Sequence, residues 1–179
     1  MANYYYFIPT LPGIRPDSGS FMSVDEFLGL CRTHISARDY RTLVTVVKGD
    51  GVVKGNRFVE AYSRFSTMLD RALTEERARA LGLDEQEYRN DGEKTAFIQQ
   101  AVRRAVSECN PLEAEELLLR LRFDFLDRNV GSGHRWDLTF LVCYALKLSL
   151  LSRRSAFTRE RGSEEFERLT SQLRKEIFS

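Results

Sequence analysis

The sequence predicts an all-α protein, a bundle of about six to eight helices behind a short extended N-terminal arm. Leu occurs 22 times against 16 for Val and Ile together, a balance that favours helix over strand. Apolar residues recur every three or four positions through most of the chain. Gly occurs 11 times and Pro 4 times in 179 residues, so few helices are interrupted. We expect one domain over residues 1–179, with the arm at 1–22 and the bundle at 23–179.

The arm is predicted to be extended because its residues favour strand or irregular backbone. The aromatic run from Tyr4 to Ile8 is β-prone and stops at Pro9. Residues 11–13 (Leu-Pro-Gly) and 15–17 (Arg-Pro-Asp) then hold the backbone out of the helical region. Any strand in the protein is therefore expected within the first ten residues.

Polar side chains mark where the first helices of the bundle begin. Ser23 and Glu26 form a capping box, in which the serine oxygen accepts from a helical N–H and the glutamate reaches back to the serine N–H. Ser36 is a second N-cap, and the helix behind it ends at Gly49. Asn56 begins a long third helix. Apolar residues follow each cap at helical spacing, so all three segments are predicted as amphipathic helices.

The third helix is predicted to be interrupted before it ends. Residues 74–76 (Thr-Glu-Glu) have the composition of a fresh N-cap with acidic residues in the first turn. Leu81 and Gly82 form a C-terminal stop. We expect a short helix or a turn over the polar residues 84–91.

Two of the later helices form the centre of the predicted bundle. Asn110, as N-cap before a proline at the first helical position, begins one of them. The helix predicted from Trp136 to Ser152 is apolar on nearly every side, which indicates a buried, central position. The two are expected to run antiparallel because the link between them is short. Together the later helices are predicted at residues 94–109, 111–128, 136–152 and 163–178.

Lys147 interrupts the apolar run of the central helix. One interpretation, which we favour, is that its aliphatic stem packs while the ammonium reaches solvent. The other is a partly buried ion pair with a carboxylate of the preceding helix, such as Glu115. The first is preferred because burying an ammonium group costs free energy even when it is paired.

Charge and composition exclude several classes of protein. Lys and Arg total 27 against 26 for Asp and Glu, so the chain is not a polycation and we expect no binding to nucleic acid. The longest mainly apolar stretch, from Leu138 to Leu151, is shorter than the ~20 residues of a membrane span. No signal peptide is recognised, and three scattered cysteines suggest no disulfide framework. We therefore expect a soluble, cytoplasmic protein.

One spacing resembles half of a metal site. Cys31 and His34 stand three residues apart, as zinc ligands often do. A complete site needs two more ligands, and only His134 and Cys143 are plausible donors. Because a second closely spaced pair is missing, we expect no bound metal.

Two further segments resemble catalytic or phosphate-binding loops only superficially. Residues 49–55 are glycine-rich and precede a helix, but they lack the Gly-Lys-Ser/Thr order of a phosphate-binding loop. Residues 131–134 contain a serine and a histidine without the strand–turn–helix that exposes a nucleophile. We therefore expect no cofactor and no enzymatic activity.

Two groups of residues are candidates for an interface with a partner. Aromatic side chains anchor many protein interfaces, although in the arm they equally well cover the core, which is the interpretation we favour. A local excess of arginines near the C-terminus fits an acidic partner or lipid headgroups, or simply a solvated helix end. The candidates are Tyr4, Tyr5, Tyr6 and Phe7 in the arm and Arg153, Arg154, Arg159 and Arg161 in the basic segment.

Several short motifs follow one another in order over most of the chain. They are Tyr4–Ile8 with Leu11-Pro12, Phe27-Leu28 to Ser36–Tyr40, Arg77–Gly82, Asn110–Glu115, Arg122–Asp127, and Tyr144–Leu148 with Arg153. Each motif alone is weakly specific, but in this order they resemble a bacterial domain family of unknown function whose genes lie among those of V-type ATPases.

That family is distantly similar to the C (eukaryotic d) subunit of A/V-type ATPases, an all-helical funnel that joins the central stalk to the membrane ring. The resemblance implies a non-enzymatic accessory or central-stalk component that contacts ATPase subunits and lies at the inner membrane through the complex. At 179 residues the chain is too short for the three related bundles of the funnel. Two alternatives stay open: a cytoplasmic helical adaptor or regulator unrelated to the ATPase, and an enzyme whose site is assembled from scattered residues.

Overall fold

The protein is a bundle of helices, as predicted. The computed structural model describes residues 4–19, 21–49, 55–83, 87–89, 91–131, 133–155, 163 and 165–172, and these contain no strand. The helices are α1 (Tyr4–Phe7), followed by a 3₁₀ turn (Ile8–Thr10), α2 (Val24–His34), α3 (Ala37–Lys48), α4 (Arg57–Ala80), α5 (Ala96–Ser107), α6 (Pro111–Val130) and α7 (Leu138–Ser155). Residues 163 and 165–172 are also helical, whereas residues 164 and 173–178 of the helix predicted at 163–178 lie outside the described residues.

The predicted helix starts are confirmed by their hydrogen bonds. The Ser23 hydroxyl accepts from the Glu26 N–H at 3.1 Å, and the Glu26 carboxylate accepts from the Ser23 N–H at 2.7 Å. The Asn56 side chain accepts from the backbone N–H groups of Phe58 and Val59 at 3.1 and 3.2 Å. These contacts satisfy donors that the first helical turn leaves without an intrahelical partner.

The predicted interruption of α4 is wrong. Thr74 lies inside the helix, where its hydroxyl donates to the carbonyl oxygen of Asp70 at 3.0 Å rather than capping a new helix. Buried apolar residues continue on both sides of Thr74, so packing carries the helix through a polar stretch. The predicted stop is confirmed: Gly82 has φ +67, and the Leu83 N–H donates back to the carbonyl oxygen of Ala78 at 3.0 Å.

Three apolar clusters hold helices α1 to α7 together. The largest joins α1, α2 and α3 to the start of α4, the end of α6 and most of α7, with Phe27, Leu43, Leu126 and Leu141 fully buried. The second joins the middle of α4 to α5 and α6 around Phe65, Leu69 and Val102. The third is small and lies between α6 and α7, formed by Leu119, Phe123 and Leu151.

Helix α6 is the element shared by all three clusters. Its neighbours are α5, α7 and, more weakly, α4, so different faces of α6 belong to different clusters. Helix α7 buries residues on almost every side and packs against α2, α3 and α6. The prediction that these two helices are central is therefore confirmed, although α7 begins two residues later and ends three residues later than expected.

The prediction that residues 4–10 are extended is wrong, since they form α1 and the 3₁₀ turn. A helical turn places Tyr4, Phe7 and Ile8 on one side, where Phe7 and Ile8 are buried in the largest cluster. No strand among the described residues offers hydrogen-bond partners to this segment. Burial of one helical face therefore overrides the β propensity of the aromatic residues.

The segment after the 3₁₀ turn is irregular, as the prolines predict. We call residues 11–16 the strap, because they lie across the junction of α6 and α7. The Tyr144 hydroxyl donates to the carbonyl oxygen of Pro12 at 2.9 Å, and Arg154 donates to that of Pro16 at 2.7 Å. The strap thus follows α7 over ten residues of that helix.

Candidate docking surface

Three exposed aromatic side chains lie in contact at one end of the bundle. Tyr5 is 66% exposed, Tyr6 71% and Trp136 47%. The Tyr5 ring lies edge-on to Tyr6 with centroids 5.5 Å apart, and 5.3 Å from the Trp136 ring. We call these three residues the aromatic cluster. Large aromatic side chains that touch one another and remain exposed are typical of surfaces that bind another protein.

Helix α1 divides the candidate aromatic residues of the arm into two groups. Tyr5 and Tyr6 face outward, whereas the Tyr4 hydroxyl donates to Asp39 at 2.7 Å and Phe7 stacks on the His34 ring at 4.5 Å. Burial, and then the hydrogen bond to the Asp39 carboxylate, raise the pKa of the Tyr4 hydroxyl. Tyr4 and Phe7 therefore anchor α1 to the core. Of the four candidate aromatic residues in the arm, Tyr5 and Tyr6 are left to contact a partner.

Trp136 is the part of this surface that the sequence analysis missed. It lies in the loop between α6 and α7, which His134 and Asp137 order through a 2.5 Å contact between Nδ1 and Oδ2. Asp137 also accepts from the Phe140 N–H at 3.2 Å and so caps α7. The signal that could have found it was the single tryptophan of the chain at the polar edge of the helix predicted from Trp136 to Ser152. Its contact with Tyr5 spans more than a hundred residues and has no local signature.

Two arginines of the basic segment, Arg153 and Arg154, lie within the described residues. Arg153 is exposed, but Arg154 donates to the Glu116 carboxylate at 2.9 Å as well as to the strap, so it is a structural residue. The Arg154 side chain remains 35% exposed, so its place in the candidate interface stays a prediction. Arg159 and Arg161 lie outside the described residues.

Lys147 forms an ion pair, but with a different carboxylate from the one suggested. Its ammonium lies 2.5 Å from Asp127 and 5.3 Å from the centre of the Phe123 ring. Glu115 is exposed on α6, twelve residues and about 18 Å of helix from Asp127. Because α6 and α7 are antiparallel, Lys147 meets a residue nearer the connecting loop. Lys147 as a whole is 9% exposed, so its stem packs as the favoured interpretation expected, while its ammonium is held by the exposed carboxylate of Asp127.

Cys31 and His34 do not converge on a common point. Cys31 is fully buried in the largest cluster, and Nδ1 of the exposed His34 lies 2.8 Å from the carbonyl oxygen of Leu30. Burial raises the pKa of the thiols of Cys31 and Cys143 to about 12, which keeps both protonated at neutral pH. Within the described residues, no group of three His, Cys, Asp or Glu side chains is placed to hold a metal ion.

The two loops that resemble phosphate-binding or catalytic segments are only partly described. Residues 50–54 and Ser132 lie outside the described residues. None of the helices in the described part of the chain combines the length and apolar character that crossing a membrane requires.

Comparison with known proteins adds no relative. No family model, no curated protein and no solved structure matches the chain.

Proposed function

We propose that this chain is a non-enzymatic accessory or central-stalk component of a bacterial V-type ATPase, similar in role to the C (eukaryotic d) subunit. It would dock on subunits of the stalk or the membrane ring through the aromatic cluster. The protein would then work in the cytoplasm, held at the inner membrane by the complex. The ordered motifs of the sequence suggest the ATPase, and the aromatic cluster is the structural observation that supports docking.

The physical basis of docking is the apolar area that the cluster leaves in water. Burying a large aromatic side chain at an interface stabilises a complex strongly, and tyrosine, tryptophan and arginine dominate interface energetics. Tyr5 and Trp136 come from elements held by the core and by the Asp137 cap, so little conformational entropy is lost when they are covered. A preorganised aromatic surface suits a permanent structural component.

The test is co-purification with the membrane-bound ATPase of a bacterium that encodes this protein. We expect the tagged chain to be retained with the ATPase and released together with the subunits of its central stalk. Replacing Tyr5, Tyr6 and Trp136 together by Ala should lower retention at least tenfold, because truncating central aromatic contacts commonly costs about 2 kcal/mol or more. The variant should keep its helical circular dichroism, since exposed side chains contribute little to stability.

Tyr88→Ala is the matched control, because Tyr88 is also exposed but lies outside the cluster. It should be retained like the wild type. If the wild-type chain is not retained with the ATPase, the proposal is wrong and a helical adaptor unrelated to the ATPase becomes the better hypothesis. If the triple variant folds and is retained undiminished, the ATPase role stands but the aromatic cluster is not the docking surface.

A further inference from the structure

The rings of the aromatic cluster are inclined to one another, so the surface they present is ridged rather than flat. The planes of the Tyr5 and Tyr6 rings meet at 89°, and those of the Tyr5 and Trp136 rings at 48°. Each pair of touching rings leaves an open angle between two ring faces. A matching ligand therefore carries compact apolar groups at short intervals along its backbone.

The polar atoms of the cluster are hydrogen-bond donors without partners. The indole N–H of Trp136 can only donate, and the hydroxyl groups of Tyr5 and Tyr6 can donate as well as accept. Within the part of the chain that the structure describes, none of these three groups forms a hydrogen bond. A matching partner therefore supplies acceptors that are not already used within its own backbone.

The need for free acceptors selects one kind of backbone. In a helix the carbonyl groups are bonded internally, and the edge of a sheet presents N–H donors as well as carbonyl acceptors. A polyproline II segment has no internal hydrogen bonds, and its prolines have no N–H. Such a segment offers acceptors and few donors, while its proline rings are the compact apolar groups. Proline-rich segments dock on aromatic-lined surfaces in this way.

Charge beside the cluster adds an acidic residue to the partner. Arg135 precedes Trp136 in the loop and is exposed, and it meets no carboxylate among the described residues. Asp137, the carboxylate nearest to it in sequence, already contacts His134 at 2.5 Å and accepts from the Phe140 N–H at 3.2 Å. A carboxylate of the partner is therefore the complement of Arg135, and such a pair fixes the direction of a bound segment.

We propose that the aromatic cluster binds a proline-rich segment in the polyproline II conformation, with an acidic residue beside its prolines. The prolines pack on the three aromatic rings, and the carbonyl groups between them accept from the hydroxyl and indole donors. The carboxylate pairs with Arg135. This partner chemistry rests on the docking surface of the proposed function, but it does not require that the segment belong to an ATPase.

The single tryptophan of the chain gives a direct readout, because Trp136 lies in the cluster. The probe is the synthetic peptide acetyl-Pro-Pro-Leu-Pro-Glu-Pro-Pro-amide, titrated into the full-length protein while tryptophan fluorescence is recorded. We expect a saturable change in emission. A peptide in which alanine replaces every proline should bind at least ten times more weakly. A peptide in which lysine replaces the glutamate should also bind more weakly, and added salt should reduce that difference.

Three variants test the residues of the site. Tyr5→Ala removes the central ring, so the proline peptide should bind at least ten times more weakly. If this variant does not fold, as judged by circular dichroism, Tyr6→Ala makes the same test. Tyr88→Ala is the matched control, because Tyr88 is exposed outside the cluster, and it should bind the peptide as the wild type does. Arg135→Glu should reverse the preference for the glutamate peptide over the lysine peptide.

The proposed partner chemistry is wrong if the proline peptide does not bind, if the alanine peptide binds equally well, or if a folded Tyr5→Ala variant binds undiminished. An unchanged preference in Arg135→Glu would overturn the acidic residue. Peptide binding needs no ATPase, so the two proposals fail separately. A chain that is retained with the ATPase but does not bind the peptide overturns only the partner chemistry. A chain that binds the peptide but is not retained supports the partner chemistry and overturns the ATPase role.

Discussion

At the residue scale, Lys147 and Asp127 share one ion pair but lie in different environments. The Lys147 side chain is 11% exposed and that of Asp127 63%. If Asp127 were removed, little water could reach the ammonium of Lys147 to replace it. If Lys147 were removed, the carboxylate of Asp127 would still be largely solvated. Removing one member of a buried pair is costly when the charge left behind is the buried one.

We predict that the two members of this pair respond unequally to substitution. Lys147→Met keeps the packing of the stem and should change the free energy of unfolding by less than about 1 kcal/mol. Asp127→Ala leaves the buried ammonium without its carboxylate and should cost about 1–3 kcal/mol. Urea denaturation of both variants measures the difference. Asp124→Ala is the control, because Asp124 is an exposed carboxylate on the same helix. A larger loss for Lys147→Met than for Asp127→Ala would contradict this account.

At the scale of the elements, two carboxylates of α4 connect it to α5 and its preceding loop. Glu76 accepts from Arg103 of α5 at 2.9 Å and from Arg79 of its own helix at 2.7 Å. Glu75 meets Lys94 at 3.0 Å. Burial alone acts to raise the pKa of Glu76, but the hydrogen bonds from Arg103 and Arg79 outweigh it, so the pKa is lowered.

A lowered pKa in the folded state predicts how stability depends on pH. Glu76 contributes stability above the pKa of an unfolded glutamate, about 4.3, and this contribution is lost as pH falls through the folded value. Glu76→Gln should lower the free energy of unfolding by about 1–2 kcal/mol at pH 7. The difference in this free energy between the variant and the wild type should shrink as the pH is lowered towards 3. Urea denaturation across this range measures it. Glu87→Gln, which alters an exposed carboxylate, should show no such trend, and a constant difference for Glu76→Gln would rule the linkage out.

At the scale of the whole molecule, Arg154 joins three parts of the chain that are distant in sequence. It connects α7 to α6 through Glu116 and to the strap through the carbonyl oxygen of Pro16. Arg153, the preceding residue, is exposed. Two adjacent arginines that look equivalent in the sequence therefore have different roles in the fold.

Charge reversal should change the stability of the protein more at Arg154 than at Arg153. Arg154→Glu removes both contacts and places a second carboxylate beside Glu116, so we expect a loss of about 1–3 kcal/mol. For a chain of this length that lowers Tm by roughly 3–9 °C. Arg153→Glu should change Tm by less than about 2 °C, as exposed substitutions usually do. Thermal melting followed by circular dichroism compares them, and equal effects would show that Arg154 does not stabilise this junction.

Features that depend on neighbours a few residues away could be predicted from the sequence alone. The capping box at Ser23 and Glu26, the cap at Asn56 and the stop at Gly82 each follow from contacts within one turn. The apolar pattern of α7 likewise indicated a central helix, because burial on all sides requires apolar residues on all sides. These features can be predicted from the sequence because each depends on residues that are close together in the chain.

Features that depend on contacts between distant residues were set by tertiary packing. The β-prone aromatic run Tyr4–Ile8 is helical because its inner face packs in the core. Lys147 pairs with Asp127 because the antiparallel register of α6 and α7 brings the two side chains together. Trp136 contacts Tyr5 because the fold places the loop before α7 next to α1. The physical reason is that packing energy depends on which surfaces meet in space, and local propensities of a few tenths of a kcal/mol per residue do not determine that.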